Sequence, residues 1–425
     1  MQKILDYFKV ISSIPRCSFK TDCMRKKIVE ISKELGFSVE VDRTGNIIAK
    51  KGSPKICLQS HYDMVCVGDY ENIELITTNG ILRAKSSSLG ADNGMGMAIM
   101  FAMMEKFDNL ECLFTNNEEV GLIGAKELEL EIKADNLLNL DGEEAGDIYI
   151  GCAGGVDVIS TINLEYENLD TIDEVFEISI DGLDGGHSGV DIDKNRPNAI
   201  KLLARELLNL DAKLIEINGG EFRNSIPRSA SAIVSFDKNL TVDSKFKVKK
   251  VDNEEKFIKN SSKILKTIYA FAQGVRGYSK EFLIPLSSVN LGLIKTDDGV
   301  LKIDCSCRAM SGEDLDQLAQ ETKSFFELIG CSVKFSSKHA PWIPKVGEFA
   351  NFVKRCMLKD YEGADFRAIH AGLECGLLIS SQKKRIEAVS IGPTIRNPHS
   401  LNEECDLKSV EKISLVVERI INGIN

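Results

Sequence analysis

A histidine and an aspartate near the end of an apolar, strand-like segment are the first residues whose types could support chemistry. His61 and Asp63 occur in LQSHYDMV, and their spacing of two places both side chains on one face of an extended chain. The histidine can bind a metal ion while the carboxylate orients its ring. A pair of this kind on its own is more often a surface histidine beside an acid. A metal-binding role is therefore supported only if other candidate ligands occur in similar positions.

Further acids and a second histidine also lie beside the ends of apolar segments. Asp92 lies between a Gly-rich loop and an apolar helix, where capping the helix would be the ordinary role of an aspartate. Glu118 and Glu119 follow one apolar strand, Asp141 follows the next, and His399 follows a strand-like segment near the C-terminus. Because α/β enzymes place their chemistry at the carboxyl ends of strands, we expect these side chains to meet at one edge of a sheet.

The combined set has the composition of a two-metal site. Such a site uses a histidine and a terminal carboxylate for each ion and one bridging carboxylate, with the ions about 3.5–4 Å apart. Nitrogen and oxygen ligands suit zinc, manganese or cobalt. An acid left over beside a ligand acid can serve as general base for a water molecule. The chain has no HExxH, GxSxG, GxGxxG or P-loop motif that would indicate a commoner alternative.

Nine short motifs, in their order along the chain, resemble those of the aminoacyl-histidine dipeptidases. This family, also called peptidase D or Xaa-His dipeptidase, is a branch of the co-catalytic zinc exopeptidases. The resemblance runs from about residue 5 to the C-terminus, and GLDGGHSG and HAGLECG are specific to this branch. The nine motifs are HYDMV, LGADNG, NNEEVGLIGA, LNLDGEE, IGCAGG, GLDGGHSGVDI, NSIP, HAGLECG and SIGPTIRNPHS.

The resemblance implies a ligand role for five of these residues. His61 and His399 would each bind one of two divalent metal ions, and Asp92 would bridge them. Glu119 and Asp141 would complete the ligand set. In such enzymes the peptide bond that follows the bridging aspartate is cis.

The resemblance also implies catalytic roles for three residues. Glu118 would be the general base, and Asp63 would support the ring of His61. His187, in GLDGGHSG, would polarise the scissile carbonyl from an inserted lid domain.

Four further residues are expected to bind substrate by the same resemblance. Asn224 and Arg308 would hold its C-terminal carboxylate, although Arg308 could equally be a surface ion-pair residue. His370 and Glu374 belong to HAGLECG, where His370 could equally be a packed histidine. We expect Glu374 to meet the free amine of the substrate.

Helices and strands alternate around these motifs, which predicts an α/β sheet that is largely parallel in its core. After about residue 175, strand–helix–strand–strand units indicate an α+β module with an antiparallel sheet. We predict a catalytic metal-binding domain formed by residues 1–178 and 341–425, and an inserted lid and dimerisation domain, 179–340. Three serial domains are the alternative. Residues 237–260 look charged and turn-like, and 237–300 is abbreviated or diverged relative to the branch.

Charge and cysteine content exclude several classes of protein. The 425 residues include 53 basic and 64 acidic side chains, a net charge of −11, which argues against nucleic acid or an anionic membrane as partner. No apolar run is long enough to span a bilayer, and the charged N-terminus argues against a signal peptide. The 12 cysteines are scattered without a CxxC pair, which predicts reduced thiols in a cytoplasmic protein.

Together these observations predict a dipeptidase that hydrolyses short, Xaa-His-like peptides with a water molecule activated by two metals. Zn²⁺ is the first expectation for the metal, with Mn²⁺ or Co²⁺ as alternatives, and the resemblance implies a homodimer. A deacylase of N-acyl amino acids and a catalytically silent metal-binding relative are the competing hypotheses. A cysteine hydrolase with Cys66 near His61 is weaker, because a separation of five residues is no evidence of a dyad.

Overall fold

The computed structural model describes residues 1–170, 174–237, 239–251 and 255–424. Residues 238 and 252–254, within the segment predicted to be turn-like, lie outside the described part. The α-helices in the described residues are α1 Gln2–Ser12, α2 Asp22–Glu34, α3 Ala91–Lys106, α4 Ile123–Lys126, α5 Ala199–Asn209, α6 Ser261–Ala270, α7 Gly312–Glu327, α8 Glu348–Met357, α9 Cys375–Ser380 and α10 Leu407–Ile424.

The strands include short edge strands as well as long central ones. In the described residues they are β1 Ser38–Val41, β2 Ile47–Lys51, β3 Ile56–His61, β4 Leu75–Thr78, β5 Ile81–Ala84, β6 Leu110–Thr115, β7 Asn136–Asn139, β8 Asp147–Cys152, β9 Gly154–Asn163, β10 Tyr166–Asn168, β11 Val175–Ile180, β12 Gly186–His187, β13 Lys213–Gly219, β14 Ser225–Ile226, β15 Ala230–Ser235, β16 Lys247–Val251, β17 Lys256–Ile258, β18 Gly274–Ser279, β19 Ile284–Asp297, β20 Val300–Ala309, β21 Ser332–His339, β22 Asp365–Ile369, β23 Glu387–Ser390, β24 Ile395–Arg396 and β25 Glu404–Asp406.

The chain forms two compact units. The first unit consists of Met1–Cys152, Trp342–Ala368 and Leu373–Asn425, and the second of Ala153–Pro341 and Ile369–Gly372. The boundaries of these two units differ from the predicted ones, which lay between residues 178 and 179 and between residues 340 and 341. The reason is β9, which pairs with β20 and β21 and therefore belongs to the second unit.

The first unit is built on an eight-stranded mixed sheet. Its strand order is β1-β2-β6-β3-β7-β23-β8-β22. The pairs β3–β6, β3–β7 and β7–β23 are parallel, whereas β1–β2, β2–β6 and β23–β8 are antiparallel. The prediction of an α/β sheet with a largely parallel core is confirmed.

The central strands bring the carboxyl ends of three segments side by side. Every residue of β3 and β6 is buried, as expected for strands covered on both faces. In register, His61 lies opposite Thr115, and Gln59 lies opposite Asn139. The residues that directly follow β3, β6 and β7 therefore emerge at one edge of the sheet. The apolar helix α3 is buried over most of its length and begins at the same edge.

The second unit is an α+β module, as predicted. Its large sheet has the order β16-β11-β15-β13-β19-β20-β9-β21, with β18 paired to β19, and the pairings that define its register are antiparallel. Apolar residues of α5, α6 and α7 share one core with these strands. The prediction that residues 237–260 are turn-like is wrong where β16 and β17 form, because the Lys-rich β16 pairs as an edge strand beside β11.

The prediction that all cysteines are reduced thiols is wrong for two of them. Cys17 and Cys66 form a disulfide, with their Cα atoms 5.5 Å apart. A backbone bridge between Cys17 and Met64 brings the two loops together. The other ten cysteines form no disulfide, and nine of them are buried. None of the helices in the described ranges combines the length and apolar character that a membrane span requires.

Candidate metal centre and active site

The two carboxylate oxygens of Asp92 face two different groups of ligand atoms. Its Oδ1 lies 3.0 Å from His61 Nε2, which is itself 3.3 Å from Asp141 Oδ1. Its Oδ2 lies 3.0 Å from His399 Nε2, which is 2.9 Å from Glu119 Oε2. Within each group the ligand atoms all lie within 4.8 Å of one another. Asp92 is therefore placed as a bridge between two sites of three donors each.

The backbone around Asp92 is not helical although it lies at the start of α3. Gly90 has φ +66°, and a Cβ there would lie 2.6 Å from Arg16 Nη2 and 2.8 Å from Met64 Sδ. Asp92 (φ −81°, ψ 110°) and Asn93 (φ −107°, ψ 30°) depart from helical geometry, and the peptide bond between them is cis, as predicted. This path turns the Asp92 side chain toward the two histidines instead of along the helix.

Burial and mutual repulsion perturb the acids of the centre. Burial would raise the pKa of Asp92, but hydrogen bonds with His399 and His61 outweigh it and lower that pKa. Burial and the charge of Asp92 raise the pKa of Glu119 to about 7. Burial also raises the pKa of Asp141, against the opposing charge of His61. A buried cluster of acids with this repulsion favours cations.

The donors fit two divalent ions. Each group offers one imidazole nitrogen and two carboxylate oxygens, a combination suited to zinc, manganese or cobalt. Glu119 Oε1 is buried and has no hydrogen-bond partner among the described residues, so this oxygen is available to a ligand. The residues that would hold one ion are His61, Asp92 and Asp141, and those for the other are Asp92, Glu119 and His399.

Glu118 lies beside both donor groups without belonging to either. One of its carboxylate oxygens lies within 4.8 Å of ligand atoms of His61 and Glu119. Burial, together with repulsion from Glu119 and Asp141, raises the pKa of Glu118 well above its ordinary value. The residue is only partly buried. This is the placement that a general base requires.

Asp63 holds the first histidine and the acidic pair in place. The Nδ1 atom of His61 lies 3.2 Å from the Asp63 carbonyl oxygen and 3.6 Å from its carboxylate. The carboxylate accepts hydrogen bonds from the backbone N–H groups of Glu118 (3.0 Å) and Glu119 (3.3 Å), and from the Ser18 hydroxyl (2.7 Å). Burial would raise the pKa of Asp63, but these partners and His61 lower it.

Glu374 lies beneath the centre with no exposed surface. Its Oε2 accepts hydrogen bonds from Gln59 Nε2 and Thr115 Oγ1, both at 2.6 Å, while Oε1 is buried without a partner among the described residues. Asn139 donates to Gln59 Oε1 at 2.6 Å and extends this polar chain to β7. Burial raises the pKa of Glu374 to about 7. The structure thus places Glu374 inside the first unit and not on an open surface.

The other predicted substrate-binding residues belong to the second unit. Ser288 lies opposite Arg308 in the β19–β20 pair, and its hydroxyl oxygen is 2.7 Å from His370 Nε2. A Cβ on Gly189 would lie 2.7 Å from the His370 carbonyl oxygen and 3.0 Å from His187 Cε1. The structure therefore gathers these two histidines and Arg308 into one region.

Asn224 is joined to the His187 turn through the backbone. Its carbonyl oxygen accepts a 2.8 Å hydrogen bond from the Ser188 N–H, and Ser225 pairs with His187 in the β12–β14 ladder. The Nδ1 atom of His187 accepts a hydrogen bond from the Gly189 N–H at 3.2 Å, so in the neutral ring the proton is on Nε2.

Sequence reasoning missed two buried charged residues that support the centre. Arg16 donates hydrogen bonds to the carbonyl oxygens of Tyr62 (3.2 Å), Asp63 (2.8 Å) and Gly90. Glu403 accepts hydrogen bonds from the backbone before Asp92. In the sequence, Glu403 lies three residues after the motif that ends at Ser400, whereas Arg16 is close to no recognised motif.

The architecture and the paired donor groups are those of a metal-dependent hydrolase, and similarity to known proteins identifies it as a peptidase and gives its family. Residues 57–423 match the model of peptidase family M20/M25/M40, and the chain belongs to this family. The chain is 32% identical to the cytosol non-specific dipeptidase of Escherichia coli K12, over 96% of this chain and 95% of that protein.

Solved structures agree with this assignment. The chain is similar to an aminoacylhistidine dipeptidase from Vibrio alginolyticus, with 30% identity, a TM-score of 0.76, and coverage of 98% of this chain and 96% of that one. The aminopeptidase PepT from Bacillus cereus has the same fold, with a TM-score of 0.61 at 17% identity over 100% and 98% of the two chains. The resemblance to the aminoacyl-histidine dipeptidases is confirmed.

Proposed function

We propose that this protein is a dipeptidase that hydrolyses short peptides, including Xaa-His-like dipeptides, with two divalent metal ions. The observation that carries the proposal is the divergence of the two Asp92 oxygens toward separate donor groups, with Glu118 beside both. Similarity over nearly the full length to proteins named as dipeptidases supports the same substrate class.

Glu118 acts as general base and then as general acid. When bound, the two ions polarise a water molecule and lower its pKa. Glu118 takes a proton from the attacking water molecule as the water oxygen adds to the peptide carbonyl carbon. The C–N bond then breaks, and Glu118 passes the proton to the departing amine. Asp63 fixes the position of Glu118 relative to His61, because its carboxylate accepts the backbone N–H of Glu118 and lies beside the ring of His61.

The substrate's carbonyl and carboxylate are assigned to residues of the second unit. His187 donates from Nε2 to the scissile carbonyl oxygen, since its Nδ1 is already an acceptor for Gly189. Arg308 supplies the positive charge for the substrate's carboxylate, and Asn224 and His370 add hydrogen bonds. The proximity of Arg308 to His370 around Ser288 supports this assignment.

Glu374 is assigned to the free amine of the substrate. Its Oε1 has no hydrogen-bond partner among the described residues, which supports the assignment. Because the side chain has no exposed surface, a direct contact requires local opening around it. A Glu374→Gln variant tests this role: a rise in KM for dipeptides with little change in kcat would support the amine contact.

We further propose zinc as the working metal, a cytoplasmic location and a homodimer. The histidine and carboxylate donors suit zinc, and similarity to a protein named as cytosolic supports the location. The Cys17–Cys66 disulfide counts against that location, since a reducing cytosol disfavours disulfides. The homodimer rests on the sequence resemblance, and sedimentation velocity of the purified protein tests it.

Hydrolysis of a small substrate panel after chelation tests the function. The panel contains β-Ala-His, Gly-His, Leu-Gly, Ala-Ala-Ala and N-acetyl-Met, assayed before and after re-addition of Zn²⁺, Mn²⁺ or Co²⁺. We expect metal-dependent cleavage of the dipeptides, with Glu118→Gln as a control that binds metal without turnover. Cleavage of N-acetyl-Met alone would identify a deacylase, and two bound metals without any turnover would identify a catalytically silent relative.

A further inference from the structure

A single buried carboxylate gathers four consecutive backbone N–H groups in front of the bridging aspartate. Glu403 Oε2 accepts hydrogen bonds from the N–H groups of Leu89 (2.9 Å) and Gly90 (3.0 Å). Its Oε1 accepts those of Ala91 (2.8 Å) and Asp92 (3.3 Å). Glu403 is only 2% exposed, so water does not compete effectively for these bonds.

These four N–H groups have no acceptor within a helix. The backbone leaves helical geometry at Asp92 and Asn93, so the regular part of α3 starts only after them. Without an acceptor, these buried backbone N–H groups would be left unpaired, which is energetically unfavourable. The Glu403 carboxylate satisfies them together, and a charged acceptor makes each bond stronger than a neutral one would be.

Glu403 also connects two metal-binding segments that are far apart in the sequence. It lies four residues after His399, and its partners are 311 to 314 residues away. The same two segments meet at the centre, where His399 Nε2 is 3.0 Å from Asp92 Oδ2. The Glu403 carboxylate therefore helps to fix the distance between the side chains of His399 and Asp92.

Arg16 makes the corresponding connection to the third segment. Its guanidinium binds the carbonyl oxygens of Gly90 and of Tyr62 and Asp63, the residues that directly follow His61. Arg16 and Glu403 thus hold the loop of Asp92 from two sides, one through its carbonyl and the other through its N–H groups.

We propose that Glu403 is a positioning residue of the metal centre, which presets the Asp92 bridge for binding of the two ions. Among the described residues, the hydrogen bonds of its carboxylate all go to the backbone of residues 89–92, so we infer that it acts through this backbone. The inference rests on the proposed two-metal site. It assigns a role to an acid that the sequence motifs left unexplained.

Glu403→Gln is the direct test. The glutamine amide nitrogen cannot accept, so two of the four N–H groups lose their partner. We expect metal affinity, measured by competition with a chromogenic chelator, to fall about tenfold to a hundredfold. Excess metal should restore much of kcat, and KM for a dipeptide should stay close to the wild-type value. A folded variant with wild-type metal affinity would overturn the proposal.

Glu111→Gln is a matched control. Glu111 is also fully buried, and it accepts the N–H groups of Lys133 (3.0 Å) and Ala134 (2.9 Å) at the opposite end of β6. This variant should lose stability in the same way but keep wild-type metal affinity. Equal losses of metal affinity in the two variants would reduce Glu403 to a general structural role and overturn the proposal.

Two further measurements keep the test decisive if Glu403→Gln does not fold. Glu403→Asp keeps the charge but is one methylene too short, so it should also weaken metal binding.

In the metal-free wild-type protein, peptides that cover residues 89–92 should be protected from hydrogen–deuterium exchange. Rapid exchange there would show that the loop is not preset and would overturn the proposal. Wild-type protein that binds no metal would instead remove the proposed function itself.

Discussion

His370 should remain neutral in the folded protein far below the pH at which a free histidine becomes charged. The side chain is 2% exposed, and its Nε2 lies 2.7 Å from the Ser288 hydroxyl oxygen. Burial, and then the positive charge of Arg308, lower the pKa of His370 from its ordinary 6.5 to about 3, against a smaller opposing hydrogen bond with the Pro285 backbone. Arg308 is therefore the charged member of this group at neutral pH.

The lowered pKa makes stability depend on pH with a definite sign. Below about pH 6.5 the unfolded chain binds a proton at this histidine and the folded chain does not, so stability falls as the pH falls. With values of 6.5 and about 3, the free energy of unfolding should drop by about 2 kcal/mol between about pH 7.5 and about pH 5.0. His370→Gln removes this contribution, so the variant should lose about 2 kcal/mol less than wild type over the same interval.

Two assays check this prediction. The chain has five histidines, so ¹³Cε1-labelled histidine gives a small set of NMR signals, and the signal absent in His370→Gln is assigned to His370. That signal should not titrate above about pH 5. Urea denaturation followed by far-UV circular dichroism at both pH values measures the change in stability.

A second variant separates the two causes. Arg308→Met removes the positive charge but keeps most of the apolar volume, so the pKa of His370 should rise while burial still holds it below 6.5. Titration of His370 near its ordinary value in the wild-type protein, or equal pH dependence of wild type and His370→Gln, would refute the reasoning.

Three further outcomes are expected. Glu118→Gln should keep both metal ions and lose about 10²–10⁴-fold in kcat, measured by metal analysis and dipeptide hydrolysis, and near-normal turnover would exclude Glu118 as the base. His399→Ala disrupts one donor group, so metal analysis after dialysis should find one tightly bound ion, whereas two would contradict separate groups. The Cys17–Cys66 disulfide closes a loop of 49 residues, so Cys17→Ser should lower the free energy of unfolding by up to about 4 kcal/mol without reductant. Thiol titration of denatured, unreduced wild type should find ten thiols, and twelve would show that the bond is absent.

The proposed metal ligands could be singled out in the sequence because each stands beside a local signal, which is an apolar strand-like run or a Gly-rich turn. β3, β6 and β7 are short apolar runs, and the structure places their ends side by side by parallel pairing. His61 is the last residue of β3, and Glu119 and Asp141 follow β6 and β7 within four residues, so strand prediction alone brings them to one edge. The signals for Asp92 and His399 were weaker, since neither lies at the end of a strand of the large sheet, and the motif resemblance added support to both.

Support from distant residues could not be predicted in this way. Glu403 occurs in LNEECDL, which looks like an ordinary acidic loop, and its partners are more than 300 residues earlier. Arg16 precedes a loop with no periodic pattern. Neither position carries a local preference that distinguishes a buried charge from a surface charge, because the difference lies in which backbone groups surround it.

The domain boundary was missed for a similar reason. β9 has an alternating pattern, and such a strand can pair in either sheet as far as its own residues show. Pairing with β20 and β21 decides that it belongs to the second unit, and those partners come more than 130 residues later. Long-range pairing therefore fixes the boundary at Cys152, and sequence patterns near residue 175 mark only the next change of character.

Four buried acids of the first unit fall into two groups that residue type alone does not separate. Asp63 and Glu403 have carboxylates filled by backbone N–H groups, so their oxygens are already committed to holding loops in place. Glu119 and Glu374 each keep a buried oxygen without a partner among the described residues, which is unfavourable unless a ligand provides one. Substitution in the first group should therefore change the geometry of the centre, and substitution in the second should change what it binds. For these four acids, the hydrogen bonds of the carboxylate distinguish a supporting role from a ligand-binding role.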